Sequence, residues 1–142
     1  MINTRTGRLE EFEYSATPPY AILSHTRGDG ELTYQDLQTS ERIPGKEWGY
    51  YKLEGTARQA RIDGINYCRI DTCCINKADY SELSEAINSM YNWYKEAHKC
   101  YAYLVDVKAG DDQTSKLSRW FTRVWTLQEL LAPKEVLFFD KN

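Results

Sequence analysis

The run Ser118-Arg119-Trp120-Phe121-Thr122-Arg123-Val124-Trp125-Thr126-Leu127-Gln128-Glu129-Leu130-Leu131-Ala132-Pro133 carries a carboxylate one turn beyond a tryptophan. Trp120, Val124, Leu127 and Leu131 recur at i, i+4, i+7 and i+11, a spacing that predicts a helix with this stripe on a core, ended by Pro133. Trp125 and Glu129, four residues apart, then share a second face. A ring and a carboxylate held together suit a ligand with an aromatic ring and a sugar: Trp125 or Trp120 stacks the ring, and Glu129 meets hydroxyls or a developing cation. A helical Glu is ordinarily solvated and a Trp ordinarily core, so the pair gains weight only from the rest of the chain.

Two further polar clusters follow apolar runs. Ser24-His25-Thr26-Arg27-Gly28 comes after Tyr20-Ala21-Ile22-Leu23, and Asp71-Thr72-Cys73-Cys74 closes the run at residues 66–71. Arg27 with the backbone at Gly28 suits a pyrophosphate. Ser24 and Asp71 suit ligand contact or turn capping equally, and His25 reads as a positioned polar residue. Cys73 stands among the ligand-facing candidates by position, although packing explains the adjacent thiols Cys73 and Cys74 better than nucleophilic chemistry does. Cys68, Cys73, Cys74 and Cys100 show neither C-x-x-C nor zinc-type spacing with a His, so they read as reduced thiols and no metal site is expected. Asp111-Asp112 offers too few oxygens for a cation, and His98 and Lys99 are accounted for by a helix C-terminus.

The elements that must position these residues alternate. Strands are expected at 21–24, 67–71, 101–105 and 136–139. Leu53, Ala57, Ala60 and Arg61 fit a helix from Tyr50 to Ile62, ended by Gly64 and weakened at Gly55. Asp79 and Glu82 have capping-box spacing, ahead of a helix with Leu83, Ile87, Met90, Tyr94 and Ala97 on one face. Residues from Lys108 to Lys116 read as a polar loop. Such alternation implies an α/β fold with a central, mainly parallel sheet and helices on both faces. Ligands bind such sheets beyond the strands' carboxyl ends, so Ser24, His25, Arg27, Asp71 and Glu129 are expected to border one cleft.

The 142 residues fit one domain, 1–142, with residues 1–19 as a lead-in that adds an edge strand, and the end just past a strand suggests excerption from a longer protein. A formal charge of −3 gives no reason to expect a nucleic-acid partner. No apolar run approaches the roughly 20 residues of a membrane span, and the N-terminus lacks a secretory signal. A soluble cytoplasmic protein is expected, with no membrane partner.

Leu23-Ser24-His25-Thr26-Arg27-Gly28, Ile70-Asp71-Thr72-Cys73-Cys74-Ile75-Asn76-Lys77, Ala86-Ile87-Asn88-Ser89-Met90-Tyr91-Asn92-Trp93-Tyr94 and Arg119 to Glu129 resemble, in order, the blocks of the fungal heterokaryon-incompatibility (HET) domain. The resemblance implies non-self recognition and regulated cell death in a filamentous fungus, as the N-terminal module of a larger protein with further domains. Trp125-Thr126-Leu127-Gln128-Glu129-Leu130 also looks like an element of TIR domains whose glutamate serves in cleaving NAD. This implies a flavodoxin/TIR-like three-layer domain, with Glu129 as catalytic residue and NAD as a nucleotide substrate rather than a cofactor. Arg27 and Arg69 stand where the HET pattern usually has Trp. Arg69 falls in an expected strand and must reach solvent or a carboxylate. Two other readings use the same residues: a signalling module that acts by homo-oligomerisation or partner contact, and a nucleotide-binding sensor without turnover.

Overall fold

Apolar runs buried on both faces become the inner strands. The computed structural model describes residues 1–107 and 118–140; the expected polar loop from Lys108 to Lys116, with Asp111 and Asp112, lies outside them. In chain order the elements are β1 (Ile2–Asn3), β2 (Tyr20–His25), α1 (Glu47–Ile62), β3 (Tyr67–Ile70), α2 (Asp71–Cys74), α3 (Tyr80–Glu96), β4 (Lys99–Tyr103), a 3-10 turn at Arg119–Thr122, α4 (Thr126–Leu131) and β5 (Val136–Phe139). The five-stranded sheet runs β1-β3-β2-β4-β5. β1 pairs antiparallel with β3, and every other pairing is parallel. The α/β class expected from the alternation is therefore the one observed. The chain leaves β2 for β3 on one side and returns to β4 on the other, so the strand order reverses at β2.

Side-chain alternation along the strands builds the layers. Ala21 and Leu23 of β2, Cys68 and Ile70 of β3 and Tyr101 of β4 pack with Leu53, Ala57 and Ala60 of α1. Tyr20 and Ile22, with Cys100 of β4, face the other way onto Tyr94 of α3 and Ala97. α1 starts three residues before the expected Tyr50, and Gly64 beyond its end takes φ +74°, where glycine carries no steric penalty. Asp79 caps α3 by accepting from Ser81 N and Glu82 N at 2.9 and 3.2 Å. The box stays half closed, because Glu82 Oε1 accepts instead from Asn76 N at 2.9 Å.

Two expectations are corrected. The inner face of α3 is Ala86, Met90, Trp93 and Tyr94 rather than one through Ile87, which is half exposed. Trp93 joins this face, with the Arg69 guanidinium 3.8 Å from its ring centroid. Arg69 is only partly buried and so reaches solvent, as one branch of the expectation had it, while its Nε is buried without a hydrogen-bond partner among the described residues. The second correction concerns 118–133, which is not one helix. Arg123, extended at φ −79°, ψ 147°, separates the 3-10 turn from α4. The break resets the helical phase: Val124, Leu127 and Leu131 are 90, 66 and 67% exposed, and of the expected stripe only Trp120 is buried. Thr126 and Glu129 turn inward instead.

Candidate functional site

β2 ends on two consecutive polar residues, and strand geometry sends them to opposite faces. Ser24 faces the α3 and α4 side, fully buried beside Ala102 of β4. Its hydroxyl donates to Glu129 Oε2 and accepts from Trp120 Nε1 at 2.7 Å. Arg123 Nη2 donates to the other carboxylate oxygen, Oε1, at 2.6 Å. Glu129 is only 4% exposed, so its charge is held by one hydroxyl and one guanidinium away from bulk water.

Local structure explains this placement. Ser118 caps the 3-10 turn by accepting from Trp120 N at 3.2 Å and donates to Asp106 Oδ1 at 2.6 Å. Arg119 N reaches the second Asp106 oxygen at 2.8 Å. Burial alone would raise the Asp106 carboxyl, but these bonds outweigh it and hold the carboxyl below its ordinary value. Trp120 is then wedged edge-on against Phe121 and Phe138, with centroids 4.9 and 5.7 Å away. The Thr126 hydroxyl donates to the Trp120 carbonyl and starts α4 where Glu129 can reach Ser24. Beneath the carboxylate, the Tyr94 hydroxyl and Cys100 thiol are pushed up first by burial and then by the charge of Glu129, so both stay protonated.

His25 faces α1. Its Nε2 lies 3.3 Å from Asp71 Oδ1 and its Nδ1 3.1 Å from Lys52 Nζ. A lysine ammonium can only donate, so Nδ1 is the acceptor and Nε2–H donates to Asp71. Lys52, nearly fully buried, also donates to the Thr26 carbonyl at 3.2 Å and to Glu31. Gly49 makes this possible: a Cβ there would lie 2.6 Å from Leu32 N, so only glycine lets the 28–32 loop close onto α1 and deliver Glu31. Arg27 pairs with Asp71. Burial would raise the Asp71 carboxyl, but the hydrogen bond from His25 and the Arg27 guanidinium hold it well below the carboxylate range.

The expected site residues therefore gather at one end of the sheet but divide into two bonded networks, Ser24-Trp120-Arg123-Glu129 on one face and His25-Asp71-Arg27 with Lys52-Glu31 on the other. The Gly28 N–H, expected for pyrophosphate, is taken by Glu31 Oε1 at 3.1 Å. Trp125 caps α4 with its carbonyl and leaves its ring 42% exposed, so the ring that accompanies the carboxylate is Trp120. Cys73 sits in the core below α1, and its hydrogen bond with Cys74, added to burial, keeps the thiol protonated. Among the described residues no group of His, Cys, Asp or Glu is arranged to hold a metal ion.

Lys52, Glu31 and Arg123 escaped the sequence reading. Lys52 had a signal, since it falls within the buried stripe Gly49, Leu53, Thr56, Ala57 and Ala60. Arg123 had none, because its reach to Glu129 depends on the chain break that it creates.

The family model described as heterokaryon incompatibility protein (HET) matches residues 20–118, more than half of the chain. The chain belongs to the HET family. The matched span of this HET domain holds Ser24, His25, Arg27 and Asp71 and stops short of Trp120, Arg123 and Glu129. The HET domain is also 47% identical over 136 residues to vegetative incompatibility protein HET-E-1 of Podospora anserina. That match covers 88% of this chain and only 10% of the relative, so the HET domain spans about a tenth of the protein it resembles. No solved structure matches it. Among the described residues no helix is long and apolar enough to cross a membrane.

Proposed function

We propose that this domain is the effector module of a larger cytoplasmic fungal protein of non-self recognition and regulated cell death, and that its chemistry is cleavage of NAD at the nicotinamide–ribose bond. Family membership and the vegetative-incompatibility relative support the first part. The second rests on the buried Glu129 carboxylate, bonded to Ser24 and Arg123 beside the Trp120 indole. In this reaction the C1′–N bond breaks and its electron pair goes to the pyridinium nitrogen, which leaves as neutral nicotinamide. Water adds to C1′ and releases a proton, giving ADP-ribose. The leaving group neutralises itself, so no strong acid is needed, and one carboxylate near C1′ stabilises the cationic ribose. A ribose hydroxyl reaching Glu129 takes the Oε1 position that Arg123 fills at rest, so binding requires Arg123 to swing toward the phosphates.

The test is incubation of the purified domain at high concentration with NAD, following free nicotinamide by chromatography. Release that is lost in Glu129→Gln supports the reading. No release from the parent, nor from Arg27→Trp/Arg69→Trp, which restores the residues usual in the family, overturns it.

One observation favours a second reading, a module that signals by contact alone. Leu127 and Leu131 of α4, with Val124 just before it, project apolar side chains into solvent. A parent that releases no nicotinamide yet self-associates through this surface is that module.

A further inference from the structure

The α1 side of the sheet is unevenly covered. α1 lies over β2 and β3, and beside it, over β4 and β5, a cleft of about 480 Å³ opens. Leu23, Tyr101, Tyr103 and Phe139 supply its apolar lining from the strands, and Gly55, Arg58 and Gln59 of α1 form one wall. That size lies within the range of small-molecule sites.

Three features suggest an occupant. Tyr103 is only 8% exposed, and its hydroxyl is buried with no hydrogen-bond partner. Burial pushes its pKa up to about 12, so at neutral pH it offers a proton to an acceptor. Gly55 occupies mid-helix, where glycine is unfavourable, yet a Cβ built there meets nothing within 4 Å. Packing among the described residues does not demand this glycine; its effect is to widen the cleft. Arg58 has no partner among the described residues, whereas Arg61 is spent on the Thr4 carbonyl and Lys52 on Glu31.

We propose that this cleft is a binding site for a flat aromatic acid. The ring lies over Gly55 against Tyr101 and Phe139, a ring-edge acceptor takes the Tyr103 O–H, and the acid group meets Arg58. The wall favours a small molecule over a docked helix: Arg58, Gln59 and Thr56 alternate with Gly55, where a helix would bury an apolar stripe against apolar neighbours. The site lies across the sheet from Glu129 and is independent of NAD cleavage.

Quinoline-6-carboxylate and its isostere 2-naphthoate, which lacks the ring nitrogen, are the probes, titrated into the isotopically labelled domain by NMR. Saturable shifts at α1 and β4 amides are expected, with quinoline-6-carboxylate about fivefold tighter. Tyr103→Phe erases that difference while leaving the domain folded. Arg58→Gln weakens both probes about fivefold to tenfold. Gly55→Leu fills the cleft, raises the thermal midpoint and weakens both at least tenfold. Shifts that fail to saturate at millimolar probe, or equal binding by Gly55→Leu, overturn the proposal. So does protection of the same amides by another segment of a longer natural chain carrying this domain, when the probes leave that chain unshifted.

Discussion

Ser24 and His25 are joined by one peptide bond and serve two networks that never share a hydrogen bond. The Ser24 hydroxyl is fixed between Trp120 and Glu129, whereas the His25 ring is fixed between Lys52 and Asp71. The parity of a single strand keeps a buried carboxylate with its guanidinium on one face and a buried ammonium with its carboxylates on the other.

Glu129 therefore carries stability as well as any chemistry. A helix held on a core by the stripe Trp120, Val124, Leu127 and Leu131 would leave Glu129 no structural role. Beyond Trp120 that stripe is exposed, and the carboxylate is the buried partner of Arg123. Glu129→Gln is expected to lower stability by roughly 1–3 kcal/mol in urea unfolding, because it strips the charge from a largely buried pair. Arg123→Gln should cost about as much, and the double variant less than the sum. If Glu129 stabilises charge in a transition state, the same substitution costs about a hundredfold or more in nicotinamide release.

Lys52 should be the more fragile position. Its side chain is 3% exposed and that of its partner Glu31 13%. Lys52→Met strands a nearly buried carboxylate and should cost ~3–5 kcal/mol, whereas Lys52→Met/Glu31→Leu should recover much of the loss. Equal stability of the single and double variants in denaturant melts would show that the pair is not coupled.

Asp71 sets an acid limit. Its folded pKa lies below the ordinary 3.8, so folding favours the ionised form. Its contribution is full above the ordinary value and is lost as pH falls through that value toward the depressed one. Asp71→Asn should therefore be less stable than the parent near neutrality and lose less stability on acidification below about pH 5. Parallel curves of thermal midpoint against pH for the two proteins would remove Asp71 from the account.

The apolar side of α4 offers a contrasting test. Leu127→Ser/Leu131→Ser alters side chains that lie two-thirds exposed, so stability should change by less than about 0.5 kcal/mol. If this surface mediates association, light scattering at high concentration should show a lower mass for the variant than for the parent. An unchanged mass would leave α4 out of any assembly.

The fold was legible where one period governs a long run. α3 carries its pattern over 17 residues from an N-cap at Asp79, and β2 opens on four buried apolar residues. The sequence failed where backbone conformation changes within a few residues: Arg123 looks like any helical residue until its extended ψ resets the phase of everything after it. The candidate residues shared one end of the sheet as strand-end reasoning required. That reasoning treats a strand end as a point, although consecutive side chains diverge by half a turn, so it merged two networks into one cleft. The signal at Lys52 was incomplete, because a cation in the inner stripe of α1 needs a counter-charge and Glu31 lies 21 residues away in the chain.

The sheet's two edges are unequal. β1 spans only Ile2 and Asn3, yet it covers β3, and the turn behind it is tied by Asn3 N donating to the Arg8 carbonyl at 2.9 Å. Among the described residues no strand pairs with the outer edge of β5. A strand from elsewhere in a parent protein or from a second molecule can join at β5 without displacing a strand among the described residues, while on the other side it must first peel away the amino-terminal segment. With one open edge per copy, two molecules that pair edge to edge at β5 close a dimer, and the contact does not propagate into a filament.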